Sequence, residues 1–266
     1  LDPASQSTIA LIGGDINLEG ASIMARSGNL ELGSVDSNSQ VNLIPIEEGW
    51  TFDYGNVQNF RDISLTKAEN FELAGIVFAN QIQIQGKKVT VQDGGQIAIF
   101  DAGNTLRINA SDTLEIIGSV SSPFSDNPFF SGLVSEAISR NDGSNIIINT
   151  GQLIIKDGGR ITSRVSANLD LDTMKFTPAS GNGGDITIKA AESIEITDEN
   201  SGIFSSTEGF GSAGKLTINT KDLSVSNGAI ITAESTGADV LGEPVATGIG
   251  GEIEINASES IRLNDG

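Results

Sequence analysis

The sequence predicts an all-β chain wound as a parallel β-helix, a solenoid with loop insertions along one edge. Three observations predict it. The 266-residue chain repeats itself, its apolar residues alternate with period two inside each repeat, and the repeats superpose in one direction. INASDTLEI (Ile108 to Ile116), IKAAESIEI (Ile188 to Ile196) and INASESIRL (Ile255 to Leu263) form one type of turn. IINTGQLIIKDGGRIT (Ile147 to Thr162) and TINTKDLSVSNGAIIT (Thr217 to Thr232) form a second, with a related copy, KKVTVQDGGQIAI, at Lys87 to Ile99. The two types alternate, so the unit is a pair of turns.

Taken in order, residues 1–85 form a less regular start, and residues 86–266 the regular repeats. In the first part, Ile16 and Leu18, Leu30 and Leu32, and Val41 and Leu43 keep the period of two. Residues 45–62 break the rhythm and hold the single Trp and single Tyr, Trp50 and Tyr54. They predict a side hairpin or extra strand packed on the rod; Trp50 and Tyr54 read either as part of that packing, which is preferred, or as an exposed contact patch. In the regular part, Leu153 with Ile155, Ile186 with Ile188 and Leu216 with Ile218 mark short strands with one face buried. Inward positions on consecutive strands lie seven or eight residues apart, as 106 to 114, 146 to 153 and 186 to 194. Stacking such strands gives about ten coils, or roughly 50 Å of rod.

Asn109, Asn149, Asn219 and Asn256 follow the first strand of their repeats and predict a hydrogen-bonded asparagine ladder interrupted by Lys189. Asn109 and Asn256 also match the glycosylation sequon, to which the ladder role is preferred. The insertions 121–130, 165–180, 208–213 and 237–247 each follow the last strand of a coil, which places them on a shared edge. Insertions of this kind gather on binding faces in repeat proteins.

Composition excludes much chemistry. Lys and Arg number 15 against 35 Asp and Glu, for a net charge of −20, and His and Cys are absent. The chain can build no Ser-His-Asp or Cys-His nucleophile, no zinc, haem or iron–sulfur site, and no disulfide. Its charge repels nucleic acid and anionic lipid. No apolar run spans a bilayer. No cofactor or metal is expected. The chain opens at Leu1 without a signal-peptide pattern and stops within a repeat copy, and so reads as an internal piece of a longer protein.

ALIGGDINLEGASIMARSGNLELGSV (Ala10 to Val35), GWTFDYGNVQNFRDISL (Gly49 to Leu65) and IQIQGKKVTVQDGGQI (Ile82 to Ile97), with SGLVS (Ser131 to Ser135) and SGIFS (Ser201 to Ser205), resemble the filamentous haemagglutinin family in its cyanobacterial-type form. The resemblance covers essentially the whole chain. It implies a right-handed parallel β-helix exported by two-partner secretion, with an outer-membrane transporter as partner and the cell surface of a Gram-negative bacterium as destination. Members act as adhesins or large surface fibres. The family's Asn-Pro-Asn-type secretion motif is missing, which places residues 1–85 at the end of the secretion-domain region. Zero Cys suits a chain that crosses the periplasm unfolded.

Three functions follow. The first is a non-enzymatic surface rod presenting loops to a glycan or a cell surface. The second is a structural subunit of an extracellular fibre, self-associating end to end through open strand edges. The third is a polysaccharide lyase or hydrolase, for which Asp170 with Asp172 and Glu252 with Glu254 are the paired carboxylates. The preferred reading of those pairs is solvated outward charge, since no Lys or Arg recurs beside them. SGNGGDITI (Ser180 to Ile188) occurs once and reads as a corner turn rather than a calcium repeat. Lys87 and Lys88 read as a solvated strand edge. Phe124, Phe129 and Phe130, in a loop with Pro123 and Pro128, form either an exposed contact patch for a sugar or protein or a fold-back over the rod.

Overall fold

A computed structural model describes residues 7–46, 49–67, 75–100, 103–121, 128–138, 140–170, 175–237, 239–240, 243–244 and 248–265; only the backbone is described at 169–170, 175–176, 239–240 and 243–244. Among these residues the chain is all-β, and its strands wind into a parallel β-helix.

Three sheets, here called the first, second and third faces, form the walls. The first face stacks 8–13, 29–34, 81–85, 105–110, 145–150, 186–190, 216–220 and 253–257. The second stacks 16–19, 63–66, 88–92, 113–117, 152–156, 193–197, 222–226 and 260–264. The third stacks 22–25, 76–79, 96–99, 132–138, 160–166, 202–208 and 230–236. All these pairings are parallel. The described chain thus makes seven three-sided coils and two sides of an eighth, a rod of roughly 35 Å at the spacing of stacked strands. Ten coils were expected. The difference lies in residues 35–62, 167–185 and 237–252, whose described residues add no rung to the three faces.

The period of two does what the sequence implies. Leu30, Ile82, Leu106, Ile146, Ile186 and Leu216 stack as one inward column of the first face, and each is 2% exposed or less. The second face answers with Ile63, Val89, Leu114, Leu153, Ile194 and Leu223. Burial of these branched chains is the main stabilising term.

The two repeat types differ at one corner. In the first type, two residues turn from the first face to the second, Ser111 and Asp112 or Ala191 and Glu192. In the second type a single residue does so, Gly151 or Lys221. A Cβ on Gly151 would strike the Asp112 carbonyl, which explains the glycine in the tighter corner. At the next corner Asp93, Asp157 and Asn227 take φ of 55°, 56° and 55°, each followed by a glycine at positive φ.

SGLVS clamps the near end of its third-face strand, and SGIFS clamps both ends of the next but one. The Ser131 hydroxyl accepts from Gly94 N at 2.9 Å and donates to the Ile117 carbonyl at 2.7 Å, and the Ser201 hydroxyl accepts from Gly158 N at 2.9 Å. At the far end the Ser205 hydroxyl accepts from Gly214 N at 2.8 Å. There the SGNGGDITI segment is a corner turn. Gly184 passes so close to the previous coil that a Cβ would meet the Ser144 carbonyl.

Residues 42–46 and 49–53 form an antiparallel hairpin on the outside of the first face. Phe52 is its buried aromatic, at 8% exposure, whereas Trp50 is 47% exposed. This corrects the expectation for Trp50: alternation along the strand sends residues 50 and 52 to the same side, but Trp50 lies beside Thr8, in the outermost described coil, and stays half exposed. Tyr54 does turn inward, lying against Gly33 and 6.1 Å from Phe60.

The insertions do not all share one edge. The loops at 166–185, 208–213 and 237–252 run from the third face to the first. The Ser119–Phe130 insertion leaves from the corner between the second and third faces, closing as a hairpin of Ser119–Val120 with Phe129–Phe130.

Candidate functional site

The outer side of the third face carries an aromatic groove of about 360 Å³. Its position follows from strand alternation. Leu133, Ile161 and Ile203 point inward, so Val134, Thr162 and Phe204 form an outward column, with Gly132, Arg160 and Gly202 as the column beside it.

Two aromatic rings and one cation define the centre. The hairpin at the preceding corner lays Phe130 over Gly132, whose Cβ would come within 3.0 Å of the ring. Phe204 lies over Gly202 in the same way, at 2.9 Å. Arg160 stands in the coil between these glycines. Its guanidinium carbon is 5.1 Å from the Phe130 ring centre and 5.5 Å from that of Phe204, within cation–π range of both. Arg160 Nε donates to the Asn200 carbonyl at 2.8 Å, which fixes the side chain lengthwise. Burial pulls its guanidinium below the usual arginine range. Gln96 Nε2 donates to the Phe130 carbonyl at 3.1 Å and holds the hairpin against the wall. Phe100 meets Phe78 edge to face at 5.0 Å and extends the apolar strip.

Charge is distributed unevenly along this groove. Arg164 Nη2 meets Glu136 Oε1 at 2.6 Å and its Nη1 lies 3.9 Å from Glu208 Oε1, so this cation is matched. Arg160 has no carboxylate within 4 Å among the described residues.

Of the residues singled out in the sequence, Phe129 and Phe130 are half-buried and line this groove, folded back against the rod. Phe124 lies outside the described residues. Arg160, Phe100 and Phe204 were not singled out. The available signal was the register of SGLVS, GGRITS and SGIFS, which sets Arg160 between Gly132 and Gly202.

The asparagines form two hydrogen-bonded pairs, one on either side of Lys189. Asn149 Nδ2 donates to Asn109 Oδ1 at 2.8 Å and Asn256 Nδ2 to Asn219 Oδ1 at 3.3 Å, with Lys189 between the pairs as expected. All four lie within first-face strands, just before the corner, with side chains outward. They strengthen the wall and line no part of the aromatic groove.

Glu252 and Glu254 do have a cation beside them. Lys215 Nζ lies 3.4 Å and 2.7 Å from their carboxylates, and hydrogen bonding to Lys215 holds the Glu254 carboxyl below its usual range. Parallel stacking places Lys215 next to residues far away in sequence. Asp170 sits in an antiparallel arm of residues 168–170 and 175–177; Asp172 lies outside the described residues. Lys88 begins the second-face stretch 88–92, its side chain partly exposed and its Nζ 2.8 Å from Glu115.

A larger hollow of about 670 Å³ opens where the first and second faces meet, lined by Asp15, Asp36, Asp62 and Asp112 around Arg61. Its carboxylates are already engaged, Asp15 and Asp36 by Arg61 at 3.5 and 3.9 Å, Asp62 by the Lys88 amide at 3.3 Å and Asp112 by the Thr113 hydroxyl at 3.4 Å. No group of three or more Asp or Glu is arranged to hold a metal ion among the described residues. The aromatic groove is therefore the site with unspent recognition chemistry: ring faces, an unmatched cation and hydroxyls. No protein-family model, curated protein or solved structure matches this chain.

Proposed function

We propose that the chain is a length of a non-enzymatic, secreted β-helical rod of the haemagglutinin-like kind, exported by two-partner secretion to a Gram-negative cell surface. Its work is contact, made by a side of the rod that faces outward. The observation that carries this reading is the aromatic groove. Phe100, Phe130 and Phe204 are held on the outer wall, where burial in the core would stabilise the fold more than exposure does. The rigid coils fix the spacing of these rings, as a binding surface requires.

The test is adhesion by the intact exoprotein on its own cells. Replacing Phe129, Phe130 and Phe204 with serine is expected to abolish attachment to a receptive surface or to neighbouring cells, while circular dichroism reports an intact rod. Undiminished attachment by folded, surface-displayed variant would overturn the reading.

A further inference from the structure

We infer that the third-face groove binds an acidic polysaccharide, with Arg160 taking the carboxylate of a uronic-acid unit and Phe130 and Phe204 stacking on the sugar units to either side. The inference rests on the contact role proposed above and names the ligand of that same site.

Three features of the wall point to this ligand. The first is order along the axis. Phe130 packs on the coil of Gly132, Arg160 belongs to the next coil, and Phe204 packs on the coil of Gly202. Ring, cation and ring succeed one another over about 10 Å of rod. A linear chain lying along the axis would meet them in that sequence. A small molecule would meet only part of it.

The second is the charge. In a chain of net charge −20, Arg160 is flanked by two π faces and has no carboxylate partner among the described residues, although its neighbour Arg164 has two. The Arg160 bonds run from Nε and Nη2 to Asn200, leaving Nη1 without a partner among the described residues. A guanidinium held between two rings and tied to Asn200 is preorganised for a carboxylate, which it prefers to bind through two parallel N–H bonds. Its half-burial, which disfavours the cation, makes a bound anion still more favourable.

The third is what surrounds the cation. Thr162, in the coil between the rings, and Ser206, two residues along the strand from Phe204, line the groove with hydroxyls suited to sugar hydroxyl groups, Glu234 lines it as well, and aromatic faces suit the apolar face of a pyranose. Polyphosphates would share the anionic chemistry but, without bases, offer nothing to stack on the two rings. Repulsion between the rod and a polyuronate acts over longer distances and is screened beyond about 8 Å at ~0.15 M salt, whereas the direct contact is not.

The experiment is calorimetric titration of the full 266-residue chain with oligogalacturonate, and in parallel with its methyl ester, at ~0.15 M salt. The acid form is expected to bind, with the ester roughly tenfold or more weaker, because esterification removes the carboxylate charge that Arg160 reads while keeping the pyranose rings. Arg160→Gln is expected to weaken the acid form to a similar degree, Arg160→Lys less, and Phe204→Leu to weaken both forms. Arg107→Gln, on the first face, is expected to bind as the parent does. Thermal melting reports whether each variant folds, and the ester comparison on the parent chain stands if Arg160→Gln does not fold. Equal affinity for acid and ester, or equal loss in Arg107→Gln and Arg160→Gln, would overturn the assignment. So would no binding of the acid form. If that result accompanied loss of cell attachment in the phenylalanine variants, the contact role would stand with a different ligand.

Discussion

Glu31 is a carboxyl that the fold keeps out of water. It lies on the outer side of the first face, beneath the hairpin, 4% exposed, and accepts from Tyr54 Oη at 2.6 Å and Gln83 Nε2 at 3.4 Å. Burial is the dominant effect and pushes its pKa from 4.5 up to about 8, against the two hydrogen bonds, which pull it down. Between these values the folded chain keeps a proton that the unfolded chain releases. The stability this group contributes is therefore complete below pH 4.5, declines as pH rises through the window, and is lost above 8. The chain has no His or Cys, so few other groups titrate from about pH 5.5 to 8. Urea unfolding is expected to show a loss on the order of 2 kcal/mol over that range, and Glu31→Gln to flatten it. A parent chain equally stable at both pH values would refute this.

The third-face strand shows how a repeated motif acts as an element. Ser201 and Ser135 are both fully buried serines of SGIFS and SGLVS, yet they differ in use. Ser201 gives the buried Gly158 N its acceptor, whereas the Ser135 hydroxyl has no hydrogen-bond partner among the described residues. Removing the first hydroxyl orphans a backbone donor and removing the second relieves an orphan. Ser201→Ala is expected to cost roughly 1–3 kcal/mol, and Ser135→Ala to be neutral or stabilising. Thermal melts of the two variants check the contrast, and equal losses would refute it. Element boundaries were also where the sequence was least informative. The hairpin begins at Asn42, before the expected segment, because Asn42 pairs with Asp53 and Leu43 with Phe52 as an unbroken ladder. That pairing is antiparallel, and nothing in the repeat pattern encodes it.

At the scale of the whole molecule, the rod exposes almost all its charge on three outer walls while a narrow apolar column runs inside. Like charges recur in neighbouring coils and repel, since no counter-ion pattern matches 35 acidic groups with 15 basic ones. Raising ionic strength from ~0.01 M to ~0.15 M shortens the screening length from about 30 to about 8 Å and is expected to raise the melting temperature. A melting temperature that falls with added salt would mean that ion pairs such as Arg164 with Glu136 outweigh the general repulsion.

By itself the sequence determined the inward columns, the alternation of two coil types and the parallel sense of stacking. Each is a local pattern repeated along the chain, and Leu106, Ile108, Leu114 and Ile116 announce their side of the wall from their own spacing. Only the tertiary structure decided how many coils form, which corner each insertion leaves, and that Phe130, Arg160 and Phe204 stand in line. Those facts depend on register between coils separated by loops of unequal length. An outward residue bears no periodic mark of its neighbour in the next coil, because burial constrains only the inward half of each strand.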